Sequence, residues 1–359
     1  MTSKALDILL DGHQLAGMSY RSPFQENSSK LLPILPSDHV GSKQGTGLVH
    51  IAPALGHDDF KLGMKHGLPT ECVVNELGKY DEDELLNKHG LCGKSVLDGE
   101  TNTAIKEILN ELVLYSHVHV HSYPYDWRTK KPCIIRSSMQ WFIDTNKLKE
   151  KSLEKLKNVS IKPSNVANSM NATLVSRPYW CISRQRSWGL PIPCLYGKNT
   201  KNKDEIVINK ELIDNLKDLI KKEGNADFWW TNKYDEKLYK SADLNTDTIV
   251  KSKDIFDIWF DSGSSFNSVL GDSKQADLYC EGVDQFSGWF QSSLLLSIGL
   301  NEQVPYKNIL VHGFVVDEKN HKMSKSIGNV IEPRQAINGI QNKLPECGKI
   351  KTISIFKEI

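Results

Sequence analysis

The sequence has no long apolar run. No window approaches the roughly 18 apolar residues of a membrane-crossing helix, so a soluble protein with no membrane partner is expected. It also lacks charge imbalance: 45 Lys and Arg stand against 44 Asp and Glu, for a formal net charge of +1. That total neither demands nor excludes nucleic acid, because a basic surface can be confined to one face. There is no C-x-x-C pair. The seven cysteines (Cys72, Cys92, Cys133, Cys181, Cys194, Cys280, Cys347) occur singly, with no His-rich partner at zinc spacing. This argues against a bound metal and for reduced thiols in an intracellular compartment. The opening MTSKALDILLDGHQL has too short an apolar run for a signal peptide and no Arg-rich amphipathic stretch for a transit peptide. Repeats and low-complexity blocks are absent too.

What is present is an ordinary globular composition, 39% hydrophobic and 25% charged over 359 residues, long enough for two or three domains. Residues 1–120 mix short β-rich runs, such as Gly47-Leu48-Val49-His50-Ile51, with a helix beginning around Asp58-Asp59, and read as a compact α+β unit. A strand-like aromatic stretch follows at 118–126, then the basic run Arg128-Thr129-Lys130-Lys131. Over 210–222, Leu212, Leu216 and Leu219 recur on one helical face, and Gly224 stands where a helix stops. Residues 255–260, 276–280 and 309–316 read as buried strands, with a helical run at 285–296 between the second and third. Such alternation predicts a parallel α/β sheet.

Chemistry concentrates near the end. Lys322, Met323, Ser324, Lys325 and Ser326, followed by Gly328, make a cationic loop of small residues just after a strand. Positioned ammonium groups can stabilise charge that builds on a leaving polyphosphate. Taken alone, the five residues read equally well as a solvated turn. Likewise Glu281, Gly282, Asp284 and Gln285 follow a strand at the end where α/β sheets place ligands, yet by themselves they could be solvated. Trp259 and Trp289, judged alone, read as core. His50, in an apolar run, reads as a satisfied core histidine.

Four segments occur together in one order: PYWCISRQRSWGLPIP (178–193), DIWFDSG (257–263), LYCEGVDQFSGWFQSSL (278–294) and HGFVVDEKNHKMSKSIGN (312–329). This resembles the isoleucyl-tRNA synthetases, class I aminoacyl-tRNA synthetases, and valyl and leucyl relatives differ at DIWFDSG and EGVDQFSGWF. The form SRQR and the neighbouring SYPYDWRTKKP (122–132) resemble the bacterial and mitochondrial branch. GTGLVHIAPALGHDDF (45–60) resembles the hydrolytic editing domain of the same family.

The resemblance implies an α/β fold: the second half of a Rossmann-like catalytic domain at 122–339, part of an inserted α+β editing domain at 1–121, and a divergent tail at 340–359. It implies that Lys322, Met323, Ser324, Lys325 and Ser326 handle ATP, which is a substrate brought with Mg2+. Glu281, Gly282, Asp284 and Gln285 would bind isoleucyl-adenylate, its carboxylates suiting an ammonium group and ribose hydroxyls. Trp259 and Trp289 would flank the isoleucine side chain. Phe286 stands where the family usually has His. In the editing domain, Asp59 would hold the ammonium of a mischarged valine and His50 would contact the ester-linked amino acid or terminal ribose. These enzymes are the standard illustration of why editing is needed: one missing methylene is worth only about 1–3 kcal/mol in an apolar pocket. The basic runs at 128–131 and 184–186 could contact the tRNA backbone.

The expected partners are isoleucine, ATP and tRNA(Ile), for a monomer in the mitochondrial matrix or the bacterial cytoplasm. Family members also carry a nucleotide-binding half with a HIGH motif and a helical anticodon-binding domain, and neither is encoded here. A fragment is therefore expected, and the competing reading is a tRNA-binding remnant without catalysis.

Overall fold

The computed structural model describes residues 11–24, 31–41, 46–126, 128–177, 179–199, 201–271, 274–317 and 319–334; the tail at 340–359 lies outside them. Two compact units divide after Met139.

The first unit holds four helices among its described residues, α1 (Gly12–Leu15), α2 (His57–His66), α3 (Glu84–Lys88) and α4 (Gly99–Leu109), with a short antiparallel pair, β1 (Ser19–Tyr20) and β2 (Leu32–Pro33). Asp58 and Asp59 occupy the first turn of α2, where the helix N-terminus favours carboxylates. Gly67 ends the helix in the left-handed conformation, φ 63°. Gly63 lets α2 lie on the preceding loop, since a Cβ there would come 2.7 Å from the Pro53 Cβ. The run at 47–51 is not a strand: Leu48 and Val49 are exposed. A strand needs a neighbour to complete its ladder, and no described residue supplies one. The stretch at 118–126 is extended but is joined to a neighbour only at its end, through a bridge between Tyr125 and Pro132.

The second unit is built on a parallel sheet in the order β11 (Tyr279–Gly282), β12 (Asn308–His312), β4 (Ser160–Lys162). Between β11 and β12 runs α11 (Trp289–Asn301), so these elements form a β-α-β unit with the parallel pairing that strand and helix alternation predicts. Around it lie α5 (Asn146–Leu156), α6 (Ala167–Ser176), α9 (Ile258–Gly263) and α10 (Ser265–Leu270), with antiparallel pairs formed by β3 (Phe142–Asp144) and β5 (Tyr179–Cys181), and by β6 (Ser183–Arg184) and β10 (Ile255–Phe256). Met170, Leu174, Phe290, Leu294, Tyr306 and Ile309 are wholly buried in this core. The helix α11 has few exposed positions, which is why its sequence is apolar all round rather than striped.

A second core forms where β7 (Leu195–Lys198) pairs with β8 (Asp204–Val207) on one side and β9 (Val250–Lys251) on the other, covered by α7 (Lys210–Glu223) and the single turn α8 (Asp235–Tyr239). Asn209 caps α7 by accepting the Leu212 N–H at 2.8 Å, Leu212, Leu216 and Leu219 face the core, and Gly224 closes it with φ 76°, as the leucine spacing predicts. Two expected strands are shorter than their apolar patterns. Of 255–260 only Ile255–Phe256 is strand, because Asp257 accepts the Trp259 N–H and starts α9 there. Of 309–316 the ladder ends at His312, where its partner β11 also ends.

Candidate active site

Glu281 and Gly282 close β11, in register with Val311 and His312 of β12, so Glu281, Gly282 and His312 share the carboxyl edge of two adjacent parallel strands. Glu281 is exposed there. The chain then turns through a 3-10 segment, Val283–Phe286, into α11. Asp284 folds back over Gly282, where a Cβ would stand 2.6 Å from Asp284 Oδ1. Gln285 Nε2 donates to Asp284 Oδ2 at 3.1 Å, and Gln285 Oε1 accepts the Trp289 N–H at 3.0 Å. Gln285 is thereby spent in part on starting α11, while Asp284 stays exposed. Phe286 is buried and packs on Phe290 at 6.0 Å, so the position serves the core.

The two tryptophans differ. Trp289 stacks on Tyr279, ring centroids 3.9 Å apart and 7° from parallel, and donates its indole N–H to the Ser262 carbonyl at 2.9 Å. It is a partly buried, fixed wall. Trp259 is 36% exposed and lies over Gly288, where a Cβ would come 2.8 Å from its ring and 2.7 Å from Gln285 Oε1. The structure thus brings Trp259, Gln285 and Trp289 together beside Glu281, Gly282 and Asp284.

What fixes Trp259 is a carboxylate that sequence pattern alone does not single out. Asp257 is buried, and its Oδ2 accepts from the Trp180 indole at 3.0 Å and from Arg184 Nη2 at 2.8 Å, while Oδ1 caps α9. Arg184 also donates Nη1 to the carbonyls of Cys181 and Ser183, at 2.9 and 2.7 Å. Three of the Arg184 donor bonds are thus made within the protein, while its side chain stays partly exposed. Gln185 bonds Gln140 and Asp254, at 3.0 and 2.9 Å. The SRQR segment is a brace, and its two-residue strand would reveal itself in sequence only through its adjacency to a buried acid. On α9, burial and the neighbouring Asp257 push the Asp261 carboxyl above the usual carboxylate range.

The lysine loop follows β12 on a hairpin. Asp317 accepts the N–H groups of Lys319 and His321, at 2.9 and 2.8 Å, and Asn320 takes a left-handed φ of 62° at the tip. Asn329 clamps the return: its Oδ1 accepts the Ser324 N–H at 2.9 Å and its Nδ2 donates to Asp317 Oδ2 at 2.9 Å. The Asn329 amide, and then the His321 N–H, hold Asp317 below the usual carboxylate range. Lys322 and Lys325 are both exposed, and Lys322 Nζ lies 3.7 Å from the centroid of Phe314, a cation–π contact. Met323 and Ser324 are half-buried, and Ser324 Oγ is 3.1 Å from Ser326 Oγ.

In the first unit His50 is exposed rather than held in an apolar strand. Asp59 is half-buried on α2 and accepts the Ala52 N–H at 3.0 Å. Among the described residues no group of three or more His, Cys, Asp or Glu side chains is disposed to hold a metal.

Residues 93–349 match the family of tRNA synthetases class I (I, L, M and V). A probable mitochondrial isoleucine–tRNA ligase of Ciona intestinalis is 45% identical over 331 residues, 91% of this chain and 77% of that protein. A mitochondrial isoleucine–tRNA ligase of Gallus gallus is 46% identical over 323 residues, 87% of this chain and 31% of its own. An isoleucine–tRNA ligase of Prochlorococcus marinus (strain MIT 9301) is 41% identical over 348 residues, 95% and 35% of the two chains. The chain belongs to the class I tRNA synthetases and, within them, to the isoleucine–tRNA ligase family. It spans about a third of the length of the Gallus and Prochlorococcus relatives.

Two outcomes follow from the brace. Asp257→Ala strands the Trp180 indole and the Arg184 guanidinium and is expected to lower unfolding stability by about 3 kcal/mol, read by urea titration. Asp257→Asn, which keeps an acceptor, is expected to lose less. Asp261→Asn has the opposite sign. A carboxyl raised on folding weakens the native state once pH exceeds its unfolded pKa. The variant should therefore melt higher than the unsubstituted chain at pH 7, and this advantage should vanish in melts at pH 3; equal melting at both pH values would sink the assignment.

Proposed function

We propose that this chain carries the adenylate-binding and lysine-loop part of an isoleucyl-tRNA synthetase, acting in ATP-dependent activation of isoleucine and its transfer to tRNA(Ile). The observation that carries this reading is the exposed Glu281 at the carboxyl edge of β11, with Trp259 lying over Gly288 and Trp289 stacked on Tyr279 of the same strand, on a sheet whose next strand leads into the clamped lysine hairpin. An exposed carboxylate and two indoles on neighbouring elements suit an amino acid: the acid takes the ammonium, the indoles the branched side chain. The isoleucine carboxylate attacks the ATP α-phosphate, pyrophosphate leaves, and Lys322 and Lys325 stabilise the charge it gains. The adenylate then passes its acyl group to the 3′ adenosine of the tRNA. Mg2+ would belong to this site only with the ATP phosphates, because ammonium groups and hydroxyls on the loop do not fit a divalent cation.

The mitochondrial relatives are 45–46% identical against 41% for the bacterial one, which favours translation in the mitochondrial matrix. Isoleucine-dependent ATP–pyrophosphate exchange by the purified chain tests the reading. Turnover is expected, falling about 10²-fold or more in Lys325→Ala, the scale of losing one electrostatic donor. A chain that binds tRNA yet exchanges no pyrophosphate would overturn it for this polypeptide and establish the tRNA-binding remnant instead.

The same reading assigns hydrolysis of valyl-tRNA(Ile) to the first unit, with Asp59 on the valine ammonium and His50 near the ester. Asp59 is supported by its place on the first turn of α2, with one oxygen already held by Ala52. Release of valine from valyl-tRNA(Ile) should be lost in Asp59→Ala. Deacylation at an unchanged rate in that variant would remove Asp59 from the site.

A further inference from the structure

Acyl transfer to tRNA has a proton to place, because the attacking ribose hydroxyl must lose its hydrogen as the new ester bond forms. A side chain that takes such a proton in the transition state is a general base, and histidine serves most often. One histidine lies at the carboxyl edge of the sheet. His312 is the last residue of β12 and stands in register with Gly282, the last residue of β11.

Gly282 is bordered by two functional groups. A Cβ built on it would stand 2.6 Å from Asp284 Oδ1 and 3.7 Å from His312 Cε1. Asp284 and the imidazole edge therefore meet around one point at the strand end, and Nε2 is one bond from the ring atom nearest that point. The tautomer is set as well. His312 Nδ1 lies 2.9 Å from the Gly313 carbonyl oxygen. A carbonyl only accepts, so Nδ1 carries the hydrogen, and in the neutral ring Nε2 keeps its lone pair. One nitrogen is held by an acceptor and the other is left to take a proton, which is the arrangement of an oriented base.

The two carboxylates locate the reacting bond. With Glu281 on the ammonium and Asp284 on the ribose hydroxyls, the acyl-phosphate link that joins those parts of the adenylate lies at Gly282, beside the His312 ring. We propose that His312 is the general base of acyl transfer: Nε2 takes the proton of the terminal adenosine hydroxyl of the tRNA as that oxygen attacks the acyl carbon. The ester C–O bond forms, the bond from the acyl carbon to the phosphate oxygen breaks, and AMP leaves with the electron pair on its phosphate. The imidazolium then returns its proton to solvent. This role rests on the isoleucyl-tRNA synthetase reading of the site.

The two steps of the reaction differ in their need for a base. The isoleucine carboxylate that attacks ATP carries no proton, so adenylate formation does not call on His312, whereas transfer does. The test uses the full chain, unsubstituted and as His312→Asn and His312→Ala. Asparagine keeps an amide N–H for the Gly313 carbonyl but has nothing at the Nε2 position. Isoleucine-dependent ATP–pyrophosphate exchange reads the first step and also reports that the site is folded. For the second step, isoleucyl-adenylate is formed on the protein with pyrophosphatase present and mixed with tRNA(Ile) in a single turnover. Transfer is expected to fall about 10²-fold or more in both variants, and exchange by far less. Added imidazole is expected to restore transfer in part to His312→Ala without accelerating the unsubstituted chain. Transfer at the unsubstituted rate in His312→Asn overturns the role. Equal losses in both steps, or a loss that imidazole leaves unrestored, assign His312 to structure and overturn it too. Failure of the underlying reading looks different: the unsubstituted chain itself then exchanges no pyrophosphate, and the base role falls with it.

Discussion

The buried carboxylate of Asp257 is the constraint on which the candidate site depends. A buried ionised group must be satisfied on every side or it destabilises the fold, and Asp257 is satisfied by three separate elements: the indole of Trp180 on β5, the guanidinium of Arg184 on β6 and the first turn of α9. Each partner is thereby fixed relative to the others. Because Trp259 is the second residue of α9, its ring position over Gly288 follows from where the carboxylate anchors the helix start. The same bond commits one arm of the Arg184 guanidinium, in a motif that looks basic in sequence, to an internal carboxylate.

From that anchor the site is assembled by close approaches at glycines. Gly282 lets Asp284 fold back on the strand end, Gly288 lets the Trp259 ring cross the start of α11, and Gly263 lets α9 lie on that helix, where a Cβ would come 2.9 Å from Ser292 Oγ. Gln285 connects these parts by bonding both Asp284 and the α11 backbone. Its role is to orient more than to bind. Glu281 differs in being exposed at the strand edge, with the solvent access that an incoming ammonium group requires.

How much of this is legible from sequence depends on how local the determinant is. The helix α7 is written in its leucines, its Asn209 cap and its Gly224 stop, all within 16 residues, and it forms where the pattern predicts. The parallel β11–β12 pair is legible because apolar strands flank an apolar helix. The run at 47–51 misleads because β propensity registers a pleated surface, not the presence of a partner. At 255–260 the apolar pattern continues through a helix start because α9 is buried on much of its surface, and only the Asp257 cap distinguishes the two. The Asp257–Arg184 bond spans 73 residues, and periodicity holds no trace of so distant a pairing. Candidate residues within one motif, such as Glu281 with Gln285 or Lys322 with Lys325, can be named from sequence, whereas the brace behind them cannot.

The lysine hairpin shows how one loop can combine fixity with reach. Asn329 holds Ser324 and Asp317 together across the base of the loop, and Asp317 in turn gathers the N–H groups of the tip. The base is thus tied by uncharged and charge-assisted bonds that need no ligand. Lys322 is drawn against the Phe314 ring, so moving it to a phosphate exchanges one favourable cation contact for another. Lys325, likewise exposed, has no such contact among the described residues. With both ammonium groups on one short loop, the first to meet developing charge is the one that costs least to move, which makes Lys325 rather than Lys322 the more informative position at which to probe the electrostatic contribution of the loop.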